Sequence, residues 1–205
     1  MSLIELSARA LLDAFSSGDP TPGGGSAAAL SSAIGASLLM MVAGLPRTRN
    51  GSEEDRAALT AASAALAEIR AGLSDAIDRD SDAYDRVVAA YKMPKASAAE
   101  QSARKAAIQQ ALRAATDVPL GVMTLSVRAV EQAATVARHG YQPARSDVGV
   151  AIGLLTAGTA GARLNVDVNL ETVSDAAYRD ATAAEARRLM TAAGDGARAA
   201  EALLR

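Results

Sequence analysis

The segment from Pro20 to Leu45 reads PTPGGGSAAALSSAIGASLLMMVAGL, and it determines how the rest of the chain is interpreted. Two prolines and the glycines Gly23–Gly25 form a rigid turn without side chains, and the uncharged residues that follow favour a long helix. Such a turn leaves backbone N–H groups uncovered at the positive end of the helix dipole, which suits an anionic or polar ligand. The Lys-[Ser/Thr] ending and the preceding strand of a nucleotide P-loop are missing. Two interpretations therefore stay open, a structural turn and a ligand site.

The composition favours an all-α fold. Apolar residues make up 50% of the 205 residues but aromatic residues only 2%, with one Phe and no Trp. The core must therefore be built mainly from Ala, Leu, Val, Ile and Met, which is helix-forming material. The length suits one sizeable core. We predict a single helical domain over residues 1–205, a bundle of long antiparallel helices.

Charge and the rarity of Cys and His exclude several classes of function. A formal net charge of −2 gives no electrostatic footprint for nucleic acid or for an anionic membrane. The absence of cysteine excludes disulfides, thiolate metal sites and cysteine nucleophiles, and a single histidine leaves little for a zinc site. We expect no metal and no cofactor. The first residues lack the basic and apolar regions of a signal peptide, which predicts a cytoplasmic protein.

The uncharged segment from Ser26 to Leu45 is nearly long enough to cross a bilayer. Its many Ala, Ser and Gly residues make it only mildly hydrophobic, it has no Trp or Tyr at its ends, and the chain offers no second span. We therefore predict a fully buried core helix and no membrane partner.

Apolar periodicity and chain breakers predict six helical segments. They span Leu3–Phe15, about 24–45, about 53–91, about 97–139 with a kink at Pro119, Val148 to about Arg163, and Ser174–Leu204. Ser97 and Glu100 have the spacing of a capping box. Ser146-Asp147 is suited to cap the fifth helix, and Asp147 is alternatively a second candidate for a functional carboxylate. The alternation in Asn165–Leu170 is compatible with a short strand or an irregular turn.

Two of these helices carry small residues at every fourth position. The sets are Gly24, Ala28, Ser32 and Ala36 in the second helix and Gly149, Gly153, Ala157 and Gly161 in the fifth. Each set forms a stripe along which helix backbones approach closely, within one subunit or across a dimer. We expect tightly packed central helices, and a bundle completed by self-association.

One carboxylate occupies a position where a core residue belongs. Apolar residues recur at steps of three and four along the third helix: Leu59, Ala62, Leu66, Ile69, Leu73, Ile77, Tyr84, Val87 and Tyr91. These positions form one buried stripe along the third helix, here called the seam. The same steps place Asp80 on the seam, whereas Asp78 and Asp82 point away from it. An interior carboxylate is costly unless it is hydrogen-bonded, and such groups are candidates for acid/base chemistry. The alternative is a structural Asp that bonds a neighbouring helix end or an Arg.

Other polar residues have both a structural and a functional interpretation. Asn165 and Asn169 are suited to aim amide groups at a polar heterocycle, or to form a turn. Lys92 and Lys95 are either solvated charges or partners of an anionic tail. His139, at a helix end, is better explained by interaction with the helix dipole than by ligation.

In their order along the chain, these blocks resemble the cyclodeaminase/cyclohydrolase family. The blocks are Pro22-Gly23-Gly24-Gly25-Ser26, Asp80-Ser81-Asp82-Ala83-Tyr84, Lys92-Met93-Pro94-Lys95, Val118-Pro119-Leu120, Ser146-Asp147 and Asn165–Leu170. The resemblance covers Leu3 to about Leu189. It implies an all-helical homodimer, a folate substrate bound near the glycine-rich turn, and a catalytic aspartate at Asp80.

By the same resemblance, twelve positions are candidates for contact with the substrate. They are Pro22, Gly23, Gly24, Gly25, Ser26, Tyr84, Lys92, Lys95, Ser146, Asp147, Asn165 and Asn169. The chain departs from the family pattern at Gly140-Tyr141, where Gly-Asn is usual, and at Pro46–Arg49, which replaces a segment with Thr and Lys. Both departures bear on substrate choice and on how the folate tail is held.

The resemblance implies hydrolysis of 5,10-methenyltetrahydrofolate to 10-formyltetrahydrofolate, with Asp80 as general acid/base and the tetrahydrofolate derivative as substrate. One alternative is a formimidoyltetrahydrofolate cyclodeaminase that releases ammonia. An alternative of another class is a helical dimer that binds folate or a protein partner without chemistry.

Overall fold

Six α-helices and two short 3-10 helices make up the structure, a computed structural model that describes residues 2–205. The 3-10 helices are Leu3–Glu5 and Gln142–Ala144. The α-helices are α1 (Ala8–Phe15), α2 (Gly24–Ala43), α3 (Glu53–Tyr91), α4 (Ala98–His139), α5 (Arg145–Leu170) and α6 (Ala176–Ala202). In this part of the chain the only β-type pairing is an isolated bridge between Thr48 and Gly140. The all-α prediction is confirmed.

Side-chain caps explain where several helices begin. Ser52 accepts a hydrogen bond from the Asp55 N–H at the start of α3, and Asp175 accepts one from Tyr178 N–H at the start of α6. The predicted capping box is present in α4, where Glu100 N–H donates to Ser97 Oγ (3.2 Å) and Ser97 N–H donates to the Glu100 carboxylate (2.8 Å). Pro119 lies inside α4, which continues on both sides of it.

The first predicted helix is divided in two. Asp78 of α3 accepts hydrogen bonds from Ser2 Oγ (2.7 Å) and from Leu3 N–H (2.5 Å), which fixes the 3-10 turn against the bundle. The chain then restarts as α1, where Ser7 Oγ accepts a bond from Ala10 N–H. Asp78 therefore points away from the seam, as expected, and has a structural partner.

The fifth helix is longer than predicted at both ends, so the strand or turn expected at Asn165–Leu170 is wrong. That segment forms the last turns of α5 because Val166 and Leu170, four residues apart, are both buried. At the other end, α5 continues directly from a 3-10 turn and its N-cap is Ala144, so the expected cap by Ser146-Asp147 is also wrong.

Close packing of α2 on α5 forms the centre of the bundle. Ala28 and Ser32 of α2 lie against Gly158 of α5, as the small-residue stripe of α2 predicted. On α5 the predicted stripe is wrong in part, because positions four residues apart rotate by about 40° per step around a helix. Gly161 contacts Ala28, whereas Gly153 lies over open space.

The prediction that helix α2 is fully buried is wrong. Its inner face packs in the core, but Ile34 and Met41 remain 45% and 43% exposed. Among residues 2–205, α2 is the one helix long and apolar enough to cross a membrane by length and composition, a test that core helices also pass. Its outward face is therefore apolar, and no other part of residues 2–205 covers Ile34 and Met41 fully.

His139 has a specific structural partner at the end of α4. Its Nδ1 lies 2.8 Å from Asp55 Oδ1, and the Asp55 side chain is buried. The hydrogen bonds from His139 and from the Asn50 backbone N–H lower the pKa of Asp55 to about 2. The expectation of a surface histidine stabilised mainly by the helix dipole is therefore replaced by a hydrogen-bonded pair that joins α3 to α4, in which Asp55 is buried and His139 is half-buried.

We predict that Gly158→Ala destabilises the protein by about 1–3 kcal/mol, because the new methyl group must fit against backbone atoms. A Cβ at Gly158 would lie 2.7 Å from the Ala28 carbonyl oxygen and 3.1 Å from Ser32 N. The measurement is the free energy of unfolding in urea.

Gly121→Ala is the matched control, because a Cβ there meets nothing within 4 Å. It should leave stability unchanged or raise it by up to about 1 kcal/mol, the usual gain of Ala over Gly inside a helix. Equal effects of the two changes would contradict close packing of α2 on α5.

Candidate active site

A cleft of about 300 Å³ opens where the first turn of α2 meets α3, α4 and the last turns of α5. The residues that line it are Pro20, Thr21, Gly23, Gly24, Gly25, Asp80, Tyr84, Val87, Leu112, Ala115, Asn165 and Asn169. The glycine-rich turn, Asp80 and the two asparagines come from three separate segments of the sequence. The fold therefore brings together most of the candidate residues.

The N-terminus of α2 holds the Asp80 carboxylate. The N-cap residue of α2 is Gly23, which has no side chain to accept a hydrogen bond. Asp80 Oδ2 accepts that bond instead, from Ser26 N–H at 2.9 Å. Asp80 is thus an N-cap supplied by another helix, and the positive end of the α2 dipole faces its charge.

The Ser26 hydroxyl is shared between two acceptors. Ser26 Oγ lies 2.8 Å from the Ile77 carbonyl oxygen and 3.2 Å from Asp80 Oδ2. One hydroxyl proton serves one acceptor at a time, and the shorter distance favours Ile77. The backbone N–H is therefore the main donor to Asp80. No hydrogen bond from residues 2–205 reaches Asp80 Oδ1, which leaves that oxygen for a ligand.

Gly25 is required by the approach of Asp80. A Cβ at this position would lie 2.5 Å from Asp80 Cγ and 2.6 Å from Oδ2, inside van der Waals contact. A Cβ at Gly24 would lie 3.6 Å from Asn165 Nδ2, which is an ordinary contact. The middle of the glycine turn is thus open to the cleft, and its last glycine makes room for the carboxylate.

Burial raises the pKa of Asp80 above its ordinary value, and the hydrogen bonds from Ser26 partly oppose this shift. The residue is half-buried at the wall of the cleft. The apolar periodicity of α3 therefore predicted correctly that Asp80 points inward, although Asp80 faces a cleft rather than the closed core. A partly desolvated carboxylate with one free oxygen is suited to accept and return a proton.

The two asparagines are held by backbone carbonyls at the other side of the cleft. Asn165 Nδ2 donates to the Gly161 oxygen, and Asn169 Nδ2 donates to the Ala115 oxygen, both at 2.9 Å. These bonds fix the amide groups and leave their oxygens without a donor from residues 2–205. Both amide oxygens are acceptors for N–H groups of a ligand.

Six of the candidate residues do not line the cleft: Ser26, which lies behind Asp80, Pro22, and four that are far from it. Lys92 and Lys95 are exposed beyond the end of α3, and Lys92 is about 18 Å along the helix from Asp80. Ser146 and Asp147 lie in the first turn of α5, about 27 Å along that helix from Asn165. Pro22 belongs to the turn but does not line the cleft.

Five residues that line the cleft were not predicted from the sequence, namely Pro20, Thr21, Val87, Leu112 and Ala115. Val87 lies on the same seam as Asp80, one helical turn beyond Tyr84, so its position was predictable even though its role was not. Leu112 and Ala115 lie on α4 among ordinary apolar positions, and only the packing of α4 on α3 and α5 identifies them.

The fold and the cleft define an all-helical protein that presents one carboxylate beside a glycine turn and two amides. The chain belongs to the formiminotransferase-cyclodeaminase family, whose pattern it matches over residues 7–188. The resemblance inferred from the sequence is thereby confirmed.

Among its relatives is the methenyltetrahydrofolate cyclohydrolase of Methylorubrum extorquens, which is 39% identical over 89% of this chain and 88% of that protein. The formimidoyltransferase-cyclodeaminase of Gallus gallus is 30% identical over 89% of this chain but only 34% of that longer protein. The crystal structure of formiminotetrahydrofolate cyclodeaminase from Thermotoga maritima matches with a TM-score of 0.87 and 26% identity, covering 98% of this chain and 96% of that one.

We predict that Asp80→Asn raises the free energy of unfolding at pH 7. Because the folded-state pKa of Asp80 lies above the ordinary value of 3.8, ionised Asp80 destabilises the native state relative to the unfolded chain. This penalty is absent below pH 3.8 and grows as pH rises through the raised pKa. Urea unfolding should therefore show a gain at neutral pH that shrinks on acidification.

Asp82→Asn is the control, because Asp82 is exposed and two residues away on the same helix. Its effect on stability should not follow the pH dependence seen for Asp80→Asn. A loss of stability in Asp80→Asn at pH 7 would mean that capping of α2 outweighs the cost of desolvation.

Proposed function

We propose that the protein is a methenyltetrahydrofolate cyclohydrolase, which converts 5,10-methenyltetrahydrofolate and water to 10-formyltetrahydrofolate. The observation that carries the proposal is the half-buried Asp80, which lines the cleft with Oδ2 bound to the N-terminus of α2 and with Oδ1 free of any hydrogen-bond donor from residues 2–205. The relative from Methylorubrum extorquens, matched along most of both chains, bears the same name.

The electrostatics of the cleft suit this substrate. The bridging carbon of the methenyl compound belongs to a cationic amidinium, which an adjacent carboxylate attracts. Among the described residues that line the cleft there is no Lys, Arg or His, so no cationic side chain of the lining opposes that attraction. Partial removal from water strengthens it.

In the first step, Asp80 removes a proton from a water molecule as its oxygen bonds to the bridging carbon. The product is a neutral tetrahedral carbinol between N5 and N10. In the second step the bond between N5 and the carbon breaks, Asp80 returns its proton to N5, and the carbinol hydroxyl loses its proton to solvent. The formyl group stays on N10, and one proton is released overall.

The raised pKa of Asp80 serves both steps. A raised pKa makes ionised Asp80 a stronger base toward water in the first step, and it helps the protonated side chain to keep its proton until N5 accepts it in the second. Burial raises the pKa, and the hydrogen bonds from Ser26 partly oppose the rise.

The remaining polar groups of the cleft are suited to position the pterin. The amide oxygens of Asn165 and Asn169 would accept N–H groups of the ring, and the open backbone at Gly23 and Gly24 would bind its carbonyl. Tyr84, which is 42% exposed at the rim, offers a ring surface for stacking. Water and the folate are the only reactants, so the reaction needs no cofactor.

We further propose that the protein acts in the cytoplasm as a homodimer. The exposed apolar side chains on α2 and α5 are the support for the dimer, since such a face is costly in water.

Asp80→Asn should reduce turnover by about 10²- to 10⁴-fold while the protein stays folded, because Asn cannot accept a proton from water. The measurement is the loss of the absorbance of 5,10-methenyltetrahydrofolate above its spontaneous hydrolysis, with Asp82→Asn as the matched control. The control should retain the rate of the parent. An unchanged rate in Asp80→Asn would remove Asp80 from the chemical role.

The second candidate is a cyclodeaminase, in which N10 attacks the formimino carbon and ammonia leaves. It is favoured by the name of the Thermotoga maritima structure, which shares the whole fold. Ammonia release from 5-formiminotetrahydrofolate distinguishes the two. Fast ammonia release without hydrolysis of the methenyl compound would replace our proposal, and folate binding with neither activity would favour a binding protein.

A further inference from the structure

Pro119 is a buried proline inside α4, and the chemistry derived above gives it no role. A proline in a helix interior lacks the N–H that would bond to the carbonyl four residues earlier, and its ring pushes against that carbonyl. Here the carbonyl belongs to Ala115, which lines the cleft. Because such a proline weakens a helix, the bundle must obtain something in return from this position.

The Ala115 carbonyl has a partner from another helix. Asn169 Nδ2 of α5 donates to it at 2.9 Å. A backbone carbonyl that has lost its helical partner is costly unless another donor replaces it. The ring of Pro119 also favours a carbonyl tilted away from the helix axis, which suits a donor that approaches from the side. The Asn169 amide thus takes the place of the N–H that Pro119 lacks.

The other asparagine of the cleft is held in a different way. Asn165 Nδ2 donates to the Gly161 oxygen at 2.9 Å, and Gly161 lies four residues earlier on the same helix. The Asn165 amide therefore needs no contact from another helix. Asn169 reaches across to α4 instead, so its orientation alone depends on the state of the Ala115 carbonyl.

The bond from Asn169 is not needed to hold the end of α5 against α4. Gln109 of α4 already binds the turn after α5: its Nε2 donates to the Thr172 oxygen at 3.2 Å, and its Oε1 accepts from Ser174 N–H at 2.6 Å and from Ser174 Oγ at 2.8 Å. These three bonds fix the backbone at this place. The particular contribution of the bond from Asn169 is therefore the orientation of the Asn169 amide.

That orientation decides which group the cleft presents to a ligand. A carbonyl oxygen only accepts hydrogen bonds, so Asn169 Nδ2 must face Ala115 and Oδ1 must face away from it. Asn169 is half-buried and lines the cleft, where its oxygen is a fixed acceptor. A fixed acceptor takes an N–H group of a ligand and rejects a ligand carbonyl at the same place. The reduced pterin ring of a tetrahydrofolate carries such N–H groups.

We propose that Pro119 is a positioning residue of the folate site. By leaving the Ala115 carbonyl without a helical N–H, it fixes the Asn169 amide with its oxygen toward the cleft, where that oxygen selects a ligand with an N–H donor. The inference rests on the proposed function for the identity of the ligand, whereas the anchoring of Asn169 by Ala115 does not depend on it. It gives a role to the Val118-Pro119-Leu120 block of the sequence.

The anchoring is testable by NMR without any ligand. Asn50, Asn165 and Asn169 are the asparagines of the chain, so isotopic labelling of asparagine alone gives three side-chain NH₂ pairs, each assigned by its loss in an Asn→Ala variant. In the parent protein the Asn169 pair should exchange with water more slowly than the pair of Asn50, which is exposed. Equal exchange of the two pairs would overturn the proposal, and this comparison needs no change at Pro119.

Pro119→Ala should accelerate the exchange of the Asn169 pair by about 2- to 10-fold, because the restored backbone N–H competes for the Ala115 carbonyl. The Asn165 pair is the internal control and should not change, since its acceptor lies on α5. An Asn169 pair that does not respond to Pro119→Ala would show that the proline does not control the anchor.

The consequence for the ligand is measured by kinetics and by calorimetry. Pro119→Ala should raise KM for 5,10-methenyltetrahydrofolate by about 3- to 10-fold with kcat within about twofold, since Asn169 contacts the ring away from the reacting carbon. Calorimetric binding of 10-formyltetrahydrofolate should weaken by the same factor.

Val118→Ala is the matched control for lost packing. Val118 is the buried neighbour of Pro119 and does not line the cleft, and its truncation leaves the Ala115 carbonyl without a helical N–H as before. Val118→Ala should lower the stability of the protein but leave the binding of 10-formyltetrahydrofolate unchanged. Equal weakening of binding by the two variants would assign the effect to packing and overturn the proposal.

A double-mutant cycle shows whether Pro119 acts through Asn169. Asn169→Ala should weaken binding of 10-formyltetrahydrofolate at least as much as Pro119→Ala does. The variant with both changes should bind within about twofold of Asn169→Ala alone, because no amide remains to be oriented. If the two factors multiply instead, Pro119 acts by another route and the proposal is wrong.

Failure of the proposed function gives a different pattern of results. An anchored Asn169 in a protein that binds no 10-formyltetrahydrofolate would overturn the proposed function and, with it, the role of Pro119 at a folate site. Folate binding and turnover that Pro119→Ala leaves unchanged would overturn only the role of Pro119.

Discussion

The bond between the Ser26 N–H and the Asp80 carboxylate is the interaction on which the site depends. Helix α2 begins without a side-chain cap because its first residues are glycines, and α3 supplies the missing acceptor. The same contact satisfies a helix end, fixes the angle between two helices and holds a charge at the wall of a cleft. A structural requirement and a chemical group thus coincide in one residue.

This arrangement requires glycine at position 25. Any larger side chain would occupy the space of the carboxylate, so the approach of α2 to α3 requires the absence of a Cβ. Gly158 has the same importance at the contact of α2 with α5. The bundle is built around backbone approaches that small residues permit, and the large apolar side chains fill the space that remains.

This arrangement lowers the stability of the fold, because it holds a carboxylate with a raised pKa inside a largely apolar bundle. Well-packed apolar residues would stabilise the fold more, and proteins commonly retain such a group where chemistry needs it. The exposed apolar side chains of α2 and α5, among them Ile34 and Val150, are a second cost, because they stay in contact with water.

The sequence by itself determined the helical class, the six helical segments and the inward-facing position of Asp80, because apolar periodicity and helix caps are local properties that survive without tertiary context. It also determined the glycine turn as a site candidate. Only the tertiary structure decided that Asn165–Leu170 is helical, that Asp80 caps α2, and that Leu112 and Ala115 line the cleft. These features depend on contacts between residues far apart in the chain, where packing overrides local propensity and no short sequence pattern records which helices meet.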